Sequence, residues 1–150
     1  MRTDIRNSSV VLCLLMLGLT SLGCKESTGV AVHPTSGSLL INGEPATGAI
    51  VGLHPLQGDV DERGAIPAGK VKEDGTFVVS TYGVEDGAPA GEFAVTVFWP
   101  QFPGRDDPGE DRLRGKYALP TSPVTKVTIA KGENHLEPLD LKAANMLRGE

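Results

Sequence analysis

Two stretches between residues 72 and 99 place apolar side chains at every second position, and this alternation constrains the fold more than any other feature. The longer stretch has its apolar row at Phe93, Val95, Val97 and Trp99. Successive side chains of a strand point to opposite faces, so this row shares one buried face and Thr96 is expected on the outward face. Phe77 and Val79 form a second row of the same kind. These two strands are therefore expected to form the centre of an all-β core.

The residues before Phe77 predict a tight turn. Asp74-Gly75 is a pair typical of two-residue hairpin loops, because such residues reach the positive φ that a type I′ turn requires. The sequence therefore predicts a hairpin centred on this pair.

Further short strands follow the same pattern along the chain. Residues 37–43 read as a strand closed by Asn42-Gly43, and Ala49, Val51 and Leu53 form an inward row. Two more strands are expected at residues 125–130 and 136–141. No segment of the domain keeps a 3.6-residue apolar period over three turns. Seven short strands separated by Gly, Pro and Asn-Gly turns predict an all-β fold, a seven-stranded β-sandwich.

The first 24 residues have the layout of an export signal. Arg2 and Arg6 precede a 13-residue, mainly apolar run over residues 10–22, which is short for a bilayer span, and Gly23-Cys24 follows it. The residues before Cys24 resemble a bacterial lipobox, in which a signal peptidase cuts before a cysteine that becomes lipidated. The usual leucine three positions before the cysteine is Ser21 here. An ordinary signal peptide cut elsewhere, or an uncleaved anchor, is the alternative.

Cysteine usage favours the lipoprotein interpretation. The only cysteines are Cys13, inside the apolar run, and Cys24 at the expected cleavage site, so the processed chain has no pair for a disulfide.

We expect a signal peptide over residues 1–23, lipidated Cys24 with a flexible tether over 24–35, a domain over 36–142 and a frayed or helical tail over 143–150. The expected location is the cell membrane or outer membrane, facing the periplasm or the exterior.

Charge and motif content argue against several functions. The formal net charge is −5, and nucleic-acid binding needs a basic surface instead. The histidines His33, His54 and His135 are widely spaced and no HExxH motif occurs, so no metal site and no cofactor are expected. No GxSxG nucleophile motif occurs either. The sequence therefore predicts no catalytic residues.

One cluster of charges is unusual, and it lies in the irregular segment between Pro100 and Pro123. Two interpretations are open: a solvated loop whose charges neutralise one another, or a binding loop, since long loops on a rigid sandwich often make contacts. Leu113 and Tyr117 are expected to dock its end on the sandwich. The candidate binding residues are Arg105, Asp106, Asp107, Glu110, Asp111 and Arg112.

Three motifs in succession carry a resemblance to a known family. Residues 37–51 read GxxxxNGxPxxGAxV, residues 69–77 read GKVKEDGTF, and residues 89–97 read PAGEFAVTV. This succession resembles the carboxypeptidase regulatory-like domain over residues 37–141. The resemblance implies a transthyretin-like, seven-stranded Greek-key β-sandwich of the kind found in many bacterial surface lipoproteins, which accompanies enzymes or adhesins and has no catalytic residues of its own.

The expected function is a non-catalytic binding or scaffolding module, anchored by lipid at the bacterial cell envelope, whose partner is an envelope protein or polysaccharide. A carbohydrate-binding module is an alternative, and it would need exposed aromatic platforms such as Trp99 and Phe102. An envelope hydrolase is a further alternative, and it would need two acidic side chains facing each other in a cleft.

Overall fold

The computed structural model describes residues 29–149, and their regular structure is entirely β-strand. The expected all-β class is confirmed, and several sheets pack together in a manner consistent with a β-sandwich. The expected signal peptide, Cys24 and Glu150 lie outside the described residues. The strands are β1 (Val32–His33), β2 (Thr35–Ile41), β3 (Glu44–Pro45), β4 (Ile50–Pro55), β5 (Ala68–Lys70), β6 (Thr76–Val78), β7 (Ala88–Pro89), β8 (Gly91–Phe98), β9 (Thr125–Ile129), β10 (Asn134–His135) and β11 (Leu139–Leu141).

These eleven segments outnumber the seven strands that the sequence predicts, and several contain only two residues. They form a two-stranded sheet of β1 and β7, a five-stranded sheet around β2, and a four-stranded sheet in the order β5-β4-β8-β9. No helix within residues 29–149 is long and apolar enough to cross a membrane.

Strand β2 organises the five-stranded sheet by pairing along both of its edges. One edge pairs antiparallel with β6 and β3, and the other pairs parallel with β10 and β11. Asn42 and Gly43 join β2 to β3 with φ values of 57° and 85°. Two consecutive positive φ values are the signature of a type I′ turn, so the predicted Asn-Gly turn is confirmed.

The core lies between this sheet and the four-stranded sheet. The predicted inward row is confirmed: it consists of Ala49, directly before β4, and Val51 and Leu53 on β4, and all three are fully buried. They align with the inward row of β8, where Val51 lies opposite Val97 and Leu53 lies opposite Val95. The opposite wall of the core comes mainly from β2 and β6. Its buried side chains include Leu39, Ile41, Phe77 and Val79.

The outward face of β8 departs from the prediction. Thr96 is only 6% exposed, and its hydroxyl lies 3.0 Å from His54 Nε2 on the neighbouring strand. Gly52 lies directly opposite Thr96, and a Cβ at Gly52 would come within 2.8 Å of the threonine hydroxyl. Thr96 does lie on the face opposite the inward row, but the prediction that it is exposed is wrong, because neighbouring residues cover it on this face.

The hairpin predicted at Asp74-Gly75 has a different form. Only Gly75 has a positive φ, of 84°, and its N–H donates to Lys72 O at 3.0 Å. This is the pattern of a three-residue loop that ends in a left-handed glycine, so the type I′ assignment is wrong. The two arms also separate: β5 joins the four-stranded sheet and β6 joins the other. A bridge between Ala68 and Ser80 still connects them.

The domain begins earlier and continues further than the sequence predicts. Val32 and His33 pair with β7, and Thr35 is 1% exposed, so the tether does not extend to residue 35. At the other end, Ala143 O accepts a hydrogen bond from Asn42 Nδ2 and Leu147 N donates to Arg112 O. Residues 143–149 thus pack along the domain without forming a helix, because backbone pairing and side-chain donors fix them.

Substitution of Val95 tests the inward row. Val95 is fully buried in the middle of β8, so Val95→Asp would bury a carboxylate without a partner. That costs several kcal/mol, against a total stability of about 5–15 kcal/mol for a domain of this kind. We expect circular dichroism to show loss of the cooperative thermal transition. Lys126→Asp, exposed on the adjacent β9, is the control and should melt within a few degrees of the native chain. Equal melting of the two variants would contradict the inward position.

Candidate functional site

The charged loop predicted as a binding site leaves the end of β8 and folds back on itself. Gln101 N donates to Glu110 O at 3.1 Å, and Phe102 N donates to Pro108 O at 3.0 Å. A bridge between Pro100 and Asp111 closes the base of the excursion. The loop therefore forms an irregular two-armed projection at the end of the sandwich where β8 ends and β4 begins.

Asp111 is engaged by the backbone. Its Oδ1 accepts hydrogen bonds from Trp99 N at 3.0 Å and Leu113 N at 3.1 Å, and its Oδ2 accepts one from Gly115 N at 2.8 Å. A carboxylate that accepts three N–H groups organises the chain around it. Asp111 therefore holds the base of the loop instead of facing a ligand.

Arg112 packs against the only tryptophan of the chain. Its guanidinium carbon lies 3.7 Å from the centroid of the Trp99 ring, and its Nε donates to Leu147 O at 3.2 Å. Burial lowers the pKa of the Arg112 guanidinium. Arg114 also binds the C-terminal segment, because its Nε donates a hydrogen bond to Asn145 O at 2.8 Å. Two arginines of the loop thus fasten the C-terminal segment.

The other four candidate residues lie on the exposed arms. The Arg105 guanidinium carbon is 4.8 Å from the Phe102 ring centroid, and Asp107 Oδ1 accepts a hydrogen bond from Gly109 N at 2.9 Å. Asp106 and Glu110 are exposed. The structure therefore divides the six candidates into two that build the loop's base and four that form its surface.

The predicted attachment of the loop's end is confirmed. Leu113 is buried in the core, and Tyr117 packs against the same core. Tyr117 O also accepts a hydrogen bond from Val97 N at 2.8 Å, along the edge of β8. The exposed arms therefore project from a fixed base.

Trp99 is not an exposed aromatic platform. It is 6% exposed, Arg112 covers one face of its ring, and its Nε1 donates to Thr47 O at 3.0 Å. Stacking on a sugar requires an open ring face, so Trp99 and Phe102 do not form the pair that the carbohydrate-binding alternative needs. Among residues 29–149, no three His, Cys, Asp or Glu side chains are grouped to hold a metal ion.

A groove that sequence reasoning missed lies beside the loop. Its volume is about 530 Å³, and it opens where β5 and β6 separate into their two sheets. Lys72 Nζ and Glu85 Oε1 form an ion pair of 2.9 Å among its lining residues. No sequence signal marks the groove, because it depends on the divergence of the hairpin's arms. Its apolar lining includes Ala68, Val71, Val78 and Pro103.

Comparisons of the chain with family models, with curated proteins and with solved structures find no match.

Removal of the Arg112 guanidinium tests the contact with Trp99. Because this is the only tryptophan, its fluorescence reports the contact directly. We expect Arg112→Gln to shift the emission to longer wavelength, to increase quenching by acrylamide, and to lower the free energy of unfolding by about 1–2 kcal/mol. Arg114→Gln is the matched control: it removes the bond to Asn145 but leaves the ring covered. An equal emission shift in both variants would contradict the stacking role.

Proposed function

We propose that this chain is a lipid-anchored, exported β-sandwich module with a non-catalytic binding or scaffolding role at the bacterial cell envelope. The observation that carries the proposal is the placement of two features at opposite ends of the sandwich. Residues 29–31, which lead from Cys24, precede β1 near the start of β8, whereas the charged loop leaves the end of β8. A strand rises about 3.3 Å per residue, so the eight residues of β8 separate these ends by about 25 Å.

The anchor in this proposal is Cys24. The apolar run ahead of Gly23-Cys24 supports export and lipidation. Each buried CH₂ contributes about 0.8 kcal/mol, so one acyl chain binds marginally and more than one anchors firmly. The protein would then reside at the cell membrane or outer membrane and face the periplasm or the exterior.

For the fold, we propose the seven-stranded Greek-key, transthyretin-like arrangement of the carboxypeptidase regulatory-like domain. Support comes from the grouping of the longer strands. With the two-residue β1, β3 and β7 set aside, and β10 and β11 joined as one interrupted strand, seven strands remain. Three of them pair in one sheet and four in the other.

The proposed binding surface combines the exposed arms of the loop with the adjacent groove. Pro103 links the two, because it belongs to the loop and also lines the groove beside Gly48. A groove with an apolar floor and a charged rim suits a partner that offers both kinds of group. The partner in this proposal is an envelope protein or polysaccharide.

Metabolic labelling tests the anchor. We expect Cys24→Ala to abolish incorporation of a labelled fatty acid, because no other cysteine would remain in the processed chain. Cys13→Ala, which changes a residue of the expected signal peptide, is the control and should retain the label. Label in the Cys24→Ala chain equal to that in the native chain would refute lipidation at this residue.

Charge reversal on the loop tests the binding surface. We expect Asp106→Lys/Glu110→Lys to reduce crosslinking of the anchored protein to its envelope partner, because both residues are exposed on the projecting arms. Glu44→Lys/Glu137→Lys makes the same charge change at exposed positions outside the loop and should crosslink normally. Equal crosslinking by both double variants would show that the loop is not the site.

A further inference from the structure

The end of the sandwich at which the described chain begins carries most of its exposed apolar side chains. Of the six large apolar side chains exposed within residues 29–149, five belong to the segments 29–30, 56–66 and 81–87, and Leu119 is the sixth. These segments adjoin the end of β4 and the starts of β5 and β8. The five residues are called the apolar end below: Val30, Leu56, Ile66, Tyr82 and Val84.

The segments of the apolar end meet around the ring of Tyr82. A Cβ at Gly29 would lie 2.7 Å from this ring, and Val30 N donates to the Tyr82 hydroxyl at 3.3 Å. The Arg63 guanidinium carbon, from the segment 56–66, lies 5.5 Å from the ring centroid. The three segments that carry the exposed apolar side chains therefore meet at this end of the sandwich, around Tyr82.

The loop that carries Tyr82 and Val84 is held in a fixed shape by Asp86. Asp86 Oδ1 accepts a hydrogen bond from Thr81 N at 2.7 Å, and Oδ2 accepts from Tyr82 N at 3.0 Å and Gly83 N at 2.8 Å. Burial raises the pKa of Asp86, but these backbone hydrogen bonds outweigh that effect, so its pKa lies below the ordinary value. The carboxylate therefore remains ionised and keeps its three donors at neutral pH.

A close backbone approach fixes the far side of the same loop. Gly87 has a φ of 97°, and a Cβ there would collide with His33 O. Thr81 Oγ1 also donates to Gly87 O at 2.6 Å. Val84, at the tip of this rigid loop, is 94% exposed. The loop therefore holds the Val84 side chain in solvent, and its fixed backbone keeps this side chain away from the core.

The distance from the proposed anchor is short. Gly29, whose backbone lies beside the Tyr82 ring, is five positions after Cys24 along the chain, and an extended chain spans at most about 3.6 Å per residue. The ring is therefore within about 20 Å of the lipidated residue, close enough for the tip to reach the headgroup region of the bilayer. This step rests on the proposed function, because it requires lipidation at Cys24.

The charges near the apolar end indicate which kind of lipid surface suits it. Its loops carry more acidic than basic residues: Arg63 pairs with Asp61 and Lys72 pairs with Glu85, which leaves Asp59, Glu62 and Asp86 as the excess of negative charge. Anionic lipids would repel this set, so attraction must come from apolar contact and from the preference of Tyr for the interface.

We propose that the apolar end is a membrane-contacting surface, which inserts Val84 and Tyr82 into the headgroup region of a zwitterionic phospholipid bilayer. The contact orients the anchored domain with the charged loop pointing away from the membrane. The lipid anchor supplies the high local concentration that such a small surface needs.

Quenching of tryptophan fluorescence by brominated lipid tests this contact. The full lipidated chain is reconstituted in phosphatidylcholine vesicles whose acyl chains are brominated near the headgroup. Trp99, at the opposite end, is the only native tryptophan, so the native chain should show almost no quenching. We expect Val84→Trp to add fluorescence that is strongly quenched. Asp106→Trp, an exposed addition on the charged loop, is the matched control and should remain unquenched.

Two results would overturn the proposal. One is equal quenching of the Val84→Trp and Asp106→Trp chains. The other is quenching of Val84→Trp that rises as phosphatidylglycerol replaces phosphatidylcholine, since the acidic surroundings predict a fall.

The membrane contact can be tested even if the chain is not lipidated at Cys24. If the chain carries no lipid, a maleimide-functionalised lipid coupled to Cys24 supplies the same anchor at the same residue. The quenching comparison then decides the membrane contact by itself.

Discussion

The packing of the two main sheets against each other depends on the ring of Phe77, which lies between one glycine from each sheet. A Cβ at Gly37, on β2, would lie 2.6 Å from the Phe77 ring, and a Cβ at Gly69, on β5, would lie 2.9 Å from it. Any larger residue at either position would force the ring or the strands apart. Phe77 is fully buried, and truncation of such a side chain removes about 3–5 kcal/mol. The absence of two side chains is thus what allows one large ring to fill the centre.

The Phe77 ring also lies between the two arms of the hairpin. It packs against Gly69 of β5, while β6 pairs with β2 and β5 pairs with β4, so the arms belong to different sheets and the groove opens between them. At the end of the sandwich where β8 ends, the Arg112 guanidinium covers the Trp99 ring and donates a hydrogen bond to Leu147 O in the C-terminal segment. Cationic and carboxylate side chains of the charged loop are thereby used to fix its base, which leaves a projecting surface on a rigid support. This is the arrangement in which loops of β-sandwiches commonly carry binding functions.

Features that depend on neighbouring residues could be predicted from the sequence. The inward rows on β4, β6 and β8 follow from the two-residue period of a strand, and the Asn42-Gly43 turn follows from the positive φ that both residues tolerate. The candidate site was only partly predictable. The composition of the loop marked all six residues, but it did not separate Asp111 and Arg112, which build the base, from the exposed residues. Thr96 was predicted to be exposed for a similar reason: the two-residue period shows which face of the strand a residue lies on, but it does not show which residues cover that face.

The sequence by itself determined the all-β class, the inward rows of the longer strands and the docking of Leu113, since each follows from local side-chain pattern and apolar content. Only the tertiary structure decided which strands pair, where the groove opens and which charges are already engaged. The physical reason is the separation along the chain of the groups that meet. Arg112 and Leu147 are 35 residues apart, and Trp99 and Thr47 are 52 apart. A hydrogen bond between such groups depends on how the sheets close, which no local pattern records.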